Sequence, residues 1–162
     1  MLLGILSDTH DQLPRTMAAV EILRAAGAEA LVHCGDVIET PIIAACSVLP
    51  CYFVFGNNDC YNVSFLRQAA ADSGAVCLDW GGIIELSGKR IGVVHGHLTT
   101  DLRRVLTDGP DYLLSGHSHL PHDFREGSVR RINPGALYRA PRFSVALLDL
   151  EQDSLQFLAV PR

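Results

Sequence analysis

The chain has 162 residues, the length of one domain able to bury roughly 70% of its unfolded surface around a core. Hydrophobic residues are 48% and charged residues 19%, which excludes a disordered chain, and the net charge of −5 argues against strong general nucleic-acid binding. The apolar runs fall well short of the ~20 residues of a membrane helix, and Met1–Gly4 has no basic segment before Ser7-Asp8. No membrane partner is therefore expected, and the cytoplasm is the expected compartment.

The first sixty residues alternate strand and helix signals. Leu2–Leu6 reads as a buried strand, 14–26 as a helix opened by Pro14 and closed by Gly27, and Ala30–Cys34 as a second strand. Thr40-Pro41 opens a helix to about Val48, and 51–55 is a third strand. This βαβαβ rhythm implies parallel strands. A helix over 65–73 follows, then short strands at 75–78, 82–86 and 90–94, and a helix over 99–106. Strands at 112–115, 121–125, 128–132, 143–150 and 154–160 complete the chain.

The strands end in a recurring way. Asp8-Thr9-His10, Gly35-Asp36, Gly56-Asn57-Asn58-Asp59, His95-Gly96-His97 and Gly116-His117-Ser118-His119 each follow an apolar run. Five of the seven histidines (95, 97, 117, 119 and 122) fall within 28 positions. In open α/β sheets ligands bind beyond the carboxyl ends of the strands, so these tips are expected to converge on one site.

Carboxylate, imidazole and amide oxygen suit borderline divalent metals, and these tips carry no thiolate. The five cysteines are odd in number and form no CxxC pair, against a disulfide framework or thiolate zinc site. Cys34, Cys46 and Cys51 read as small core residues. Asp8 and His10, two apart at a strand exit, can face one ion, and His117 and His119 repeat the spacing. Asp8, His10, Asp36, Asn57, His95, His117 and His119 are too many for one ion and suit two, with Asp36 as the natural bridge. Two ions ~3.5–4 Å apart form a clamp for phosphoryl chemistry. Each motif alone reads as a turn; five in order, each closing an apolar strand, do not arise readily by chance.

Together these motifs resemble the calcineurin-like metallophosphoesterases, in particular their small single-domain prokaryotic phosphodiesterase branch, and the resemblance runs from Met1 to about Leu150. It implies an α/β fold, a four-layer αββα sandwich of two mixed sheets flanked by helices, with the metals at the strand C-terminal tips. It implies that Asp8, His10 and His119 hold one metal with Asp36, that Asn57, His95 and His117 hold the second with Asp36, and that a metal-bridging hydroxide attacks the phosphorus in line. Mn²⁺ is the first expectation for both ions, with Ni²⁺, Co²⁺, Fe²⁺ and Zn²⁺ as alternatives.

One position departs from the family pattern. Larger members carry His directly after the ligand Asn, where this chain has Asn58, and an amide does not donate a proton as a general acid at neutral pH. His97 and His122 are the nearest replacements in sequence. The departure leans the expectation toward a small phosphodiester substrate, nucleotide-derived or otherwise, with a phosphomonoesterase or a non-catalytic scaffold as alternatives. All seven ligand positions are intact, against the scaffold.

Other residues carry paired readings. Asp59 orients a ligand or forms a turn. Asp11 supports the site or caps the first helix. His33 reads as packing, Arg139 and Arg142 as phosphate-binding or interface residues, and Asn133-Pro134-Gly135 as a tight turn beside the site. A homo-oligomer, dimer or tetramer, is compatible with the sequence.

Overall fold

The computed structural model describes all residues, 1–162. Its first sheet runs β11(Ser154–Val160), β10(Phe143–Asp149), β1(Leu2–Leu6), β2(Ala30–His33), β3(Cys51–Phe53), β4(Val76–Cys77). Strands β1 to β4 are parallel, and β10 and β11 add antiparallel. The second sheet runs β5(Gly81–Leu86), β6(Lys89–Val94), β7(Tyr112–Leu114), β9(Val129–Asn133), β8(His122–Glu126), with β6, β7 and β9 parallel. Helices α1(Leu13–Ala25), α2(Thr40–Cys46) and α3(Val63–Ser73) cover the first sheet, and α4(Thr99–Thr107) covers the second. The result is the four-layer αββα sandwich with two mixed sheets.

The central strands are apolar on both faces because both faces are covered. Alternation divides them between cores. In β1, Leu3 and Ile5 enter the core between the sheets, while Leu6 packs under the helices; in β2, Ala30 and Val32 take the first course and Leu31 the second. β10 does the same with Ala146 and Leu148 against Val145 and Leu147. In β7, Tyr112 and Leu114 face the first sheet and Leu113 packs beneath α4.

Helix α1 buries Thr16, Ala19, Val20 and Leu23, a stripe at helical spacing. It starts at Gln12 without a side-chain cap, so Asp11, which is exposed, does not cap it. A 3₁₀ turn over Asn57–Asp59 follows β3, which ends two residues earlier than its apolar run suggests. The other elements match their sequence signals within a few residues at their ends.

This topology places the carboxyl ends of β1, β2, β3, β6 and β7 along one edge. Backbone bonds tie the exits together: Asp8 N–H to Gly35 O, His10 N–H to Asp36 O and Gly116 N–H to His95 O, each 3.0 Å. Across the sandwich, His95 Nδ1 bonds the Cys34 carbonyl at 2.8 Å.

The stripe on α1 yields a direct test. Leu23 is fully buried, whereas Met17 on the same helix is 57% exposed. Leu23→Ala is expected to cost about 3 kcal/mol in urea unfolding, and Met17→Ala under about 0.5 kcal/mol. Equal losses would contradict the burial assigned to this helix face.

Candidate metal centre

Two carboxylates sit at the centre of the strand tips. Asp8 follows β1 and is fully buried; Asp36 follows β2 and is 2% exposed. Asp36 Oδ2 lies 3.3 Å from His10 Nε2 and 3.5 Å from His95 Nε2, so it stands between two imidazoles from different sheets. Asp8 Oδ1 lies 3.2 Å from His119 Nε2. Ligand atoms of Asp8, His10 and His119 all fall within 4.8 Å of one another, as do those of Asp8, Asp36 and His95.

The remaining expected ligands are adjacent. Asn57 is exposed, and its Oδ1 lies 3.1 Å from His95 Nε2. His117 is exposed; its ring centroid lies 5.1 Å from that of His95, and its backbone N–H donates to Asp8 Oδ2 at 3.1 Å. All seven therefore cluster at the strand tips, and Asp36 adjoins residues expected at each ion.

The arrangement fits divalent cations. Asp8 Oδ1 and His10 Nε2 are buried and lack a hydrogen-bond partner despite their close neighbours, so their approach is not hydrogen-bond alignment. His95 Nδ1 is engaged by the Cys34 carbonyl, which directs Nε2 toward two oxygen acceptors, Asp36 Oδ2 and Asn57 Oδ1. His119 Nδ1 likewise faces the Arg139 carbonyl at 3.4 Å. Anchoring one ring nitrogen on a carbonyl and presenting the other is how metal-binding histidines are oriented.

Electrostatics agree. Burial alone would raise the pKa of Asp36, but the adjacent His10 and His95 imidazoles and the hydrogen bond from the Asn58 N–H outweigh it and hold the carboxyl well below its usual range. Burial would lower the pKa of His95, yet Asp36 reverses the sign and the imidazole is raised. The centre thus gathers two buried carboxylates among imidazoles, a donor set that fits a divalent cation.

Backbone strain accompanies this convergence. Asp8, His10, Asp36, His117 and His119 have φ between 43° and 66°, a region that L side chains other than Asn and Asp seldom occupy. Two motif glycines allow the close approach. A Cβ on Gly56 would strike the Asp36 carboxylate and backbone nitrogen, and one on Gly116 would strike Ser7 Oγ and stand 2.6 Å from Asp8 Oδ2.

Neighbouring groups hold the ligands. Asn58 donates from its backbone N–H (2.9 Å) and Nδ2 (2.8 Å) to the Asp36 carboxylate, so it positions that group. Asp59 is fully buried and accepts N–H bonds from Gly56 (2.7 Å), Ile38 (2.7 Å) and Val37 (3.3 Å), joining the two loops. Burial pushes its pKa up, and the three N–H bonds only partly oppose this. Asn133 donates to the Gly116 carbonyl at 2.8 Å, which places the Asn133-Pro134-Gly135 turn beneath the histidine loop.

His33 is buried but not merely packed. Its Nδ1 accepts the Gly35 N–H at 3.2 Å, which leaves Nε2–H to donate to Thr9 Oγ1 at 3.1 Å; the Thr9 hydroxyl reaches the Asp36 carbonyl at 3.3 Å. Burial lowers the His33 pKa to about 3, with His95 acting in the same direction.

Several candidates are not at the centre. His122 packs beside Phe124, ring centroids 5.3 Å apart, and makes no contact with the Asp36 group. Arg142 is exposed beside Phe143 and Phe157. Arg139 meets the site through its carbonyl, while its guanidinium lies over Tyr138. His97, by contrast, borders the centre: it is half-buried, its ring lies 5.4 Å from that of His95 and 6.2 Å from that of His117, and burial pushes its pKa down. Sequence reasoning missed Ser7, which donates to Asp8 Oδ2 at 2.6 Å, and Tyr138, whose ring lies 4.7 Å from that of His10. Ser7 borders the first motif and was open to notice; nothing in the sequence marks Tyr138.

The family model of the calcineurin-like phosphoesterase superfamily domain matches residues 1–153. Phosphodiesterase MJ0936 of Methanocaldococcus jannaschii is 29% identical over 160 residues, 94% of this chain and 95% of that one. Phosphodiesterase YfcE of Escherichia coli K12 is 26% identical over 147 residues, 85% of this chain and 79% of that one. The solved structure of a novel archaeal phosphodiesterase superposes with a TM-score of 0.88 at 28% identity, covering 98% of this chain and 99% of that one.

The His33 linkage has a signed consequence. Below about pH 6.5 the unfolded chain binds a proton at this position that the folded chain refuses until about pH 3. Stability is therefore lost as pH falls through that window, by up to about 1.4 kcal/mol per pH unit from this group. In urea unfolding with chelator present, His33→Gln is expected to flatten the pH dependence between 6.5 and 4. Parallel curves for the two proteins would contradict the role assigned to His33.

Proposed function

The chain belongs to the calcineurin-like phosphoesterase superfamily, and from that premise we propose that it is a two-metal-ion phosphodiesterase acting on a small phosphodiester. The observation that carries the reading is Asp36, a buried carboxylate with one oxygen facing His10 on one side and His95 on the other. Asp8, His10 and His119 would hold one ion with Asp36, and Asn57, His95 and His117 the second. Mn²⁺ suits this set of oxygen and nitrogen donors, as do Ni²⁺, Co²⁺, Fe²⁺ and Zn²⁺. When bound, such ions supply Lewis acidity toward the phosphoryl oxygens and a nucleophile at neutral pH.

The chain's own residues do the positioning. Ser7 and the His117 N–H fix the Asp8 carboxylate, and Asn58 fixes that of Asp36. Fixed ligands keep the donor atoms in place without reorganisation during the reaction. His97 borders the centre on the Asn57 side, where an ester group of the substrate would lie.

The preference for diesters rests on Asn58. An amide does not act as a general acid, and its Nδ2–H is committed to Asp36. The relatives named phosphodiesterases support the same reading.

Chelator should abolish hydrolysis of bis(p-nitrophenyl) phosphate, and added Mn²⁺ should restore it well above the rate with p-nitrophenyl phosphate. Changes around metal ligands typically cost about 10–100-fold, so Asp36→Asn, which alters a ligand itself, is expected to cost at least about 100-fold. Mn²⁺-restored activity that favours the monoester, or that survives in Asp36→Asn, would contradict the reading.

A further inference from the structure

Beside the candidate centre lies a cleft of about 320 Å³ lined by Asn57, Cys60, Trp80, His97, Leu98 and Asp101. It is continuous with the centre through Asn57, whose Oδ1 faces His95. His97 forms the partition. Its ring lies 5.4 Å from His95 and 6.2 Å from His117 on one side, and 6.1 Å from Trp80 on the other.

Trp80 is anchored by the core and yet open to the cleft. It meets Phe55 edge-on at 5.4 Å and packs against the core beneath the helices, while remaining half-buried. Leu98, the residue before α4, is 46% exposed and forms a second apolar wall. An aromatic face and an exposed leucine beside a phosphate-binding centre offer stacking and burial to a flat group.

The charges narrow the choice. Asp101 lines the cleft, with its side chain 20% exposed. Nearby cations are engaged: Arg104 lies 3.6 Å from Asp101 and donates to the Gly81 carbonyl, and Arg67 is paired with Asp79. A second phosphate here would face the Asp101 carboxylate in a cleft whose lining carries no Lys or Arg. A neutral group carrying an N–H or O–H would find in Asp101 an acceptor. The volume lies at the lower end for small-molecule sites, room for one nucleoside and not for an oligonucleotide.

We propose that this cleft is the subsite for one uncharged aromatic ester group of the substrate, of nucleoside size, stacked on Trp80, packed against Leu98 and donating a hydrogen bond to Asp101. The inference rests on the phosphodiesterase reading for the position of the phosphate. It adds that the substrate is a nucleoside-type diester with a single phosphate.

Trp80 is the only tryptophan, so its emission reports the cleft without any turnover. The Zn²⁺-loaded protein is titrated with adenosine 5′-monophosphate, phenyl phosphate and methyl phosphate, with emission and binding heat both followed. The adenosine and phenyl compounds should quench Trp80 saturably and methyl phosphate should not. Adenosine 5′-monophosphate should bind at least about tenfold tighter than methyl phosphate. Trp80 also packs on the core, so the variant is the exposed Leu98→Ser, expected to reduce that preference at least about threefold.

Equal affinities with unchanged emission, or a preference unmoved by Leu98→Ser, would overturn the proposal. Hydrolysis of bis(p-nitrophenyl) phosphate with Mn²⁺ is measured in parallel. Hydrolysis without aromatic preference removes the subsite and leaves the phosphodiesterase reading standing; aromatic quenching and preference without hydrolysis does the reverse.

Discussion

Two carboxylates buried within one depression, Asp8 and Asp36, set the terms for everything around them. A buried charge is costly unless paired and hydrogen-bonded, so each acid here is surrounded by donors and by imidazoles, two of which, His95 and His119, have their far nitrogens against backbone carbonyls. The histidines around them, His10, His117 and His119, adopt left-handed conformations, at a cost of about 1 kcal/mol or more each. A fold retains such strain where the surrounding structure over-determines it. Here the over-determination comes from five strand ends meeting along one edge.

The supporting contacts explain how that edge stays rigid. Asp59 fastens the loop after β2 to the turn after β3 through the Val37 and Ile38 N–H bonds, and His33 and Thr9 brace the Asp36 carbonyl from beneath. Asn133, at the end of the neighbouring strand β9, holds the histidine loop after β7. Glycine at positions 56 and 116 belongs to the same logic, because the space of a side chain there is already filled by the Asp36 carboxylate or by Ser7. Chemistry and fold are thus joined at the strand tips, and the adjoining cleft with Trp80 extends the same edge toward α4.

Much of this is legible in the amino-acid sequence. The central strands announced themselves because burial on both faces makes them continuously apolar, and Pro and Gly marked the limits of α1. Asp8, His10, Asp36, Asn57, His95, His117 and His119 stood out because polar tips closed one apolar run after another. What stayed hidden depends on contacts between distant segments. Asn58 reads as a missing acid, yet its amide is turned onto Asp36, 22 residues away. His122 reads as a neighbour of the cluster, yet it lies on β8 beside Phe124. Trp80 and Tyr138 carry no local signal, since their value comes from where the chain brings them. Strand β3 ended early because the turn at Asn57–Asp59 overrides the apolar run before it.

The central claim is that Asp36 joins two ions. Crystals grown with Mn²⁺ and measured at its absorption edge test it most directly. The account predicts two anomalous peaks ~3.5–4 Å apart, both in contact with the Asp36 carboxylate, one beside Asp8, His10 and His119 and the other beside Asn57, His95 and His117. A single peak, or a pair that does not share Asp36, would contradict it.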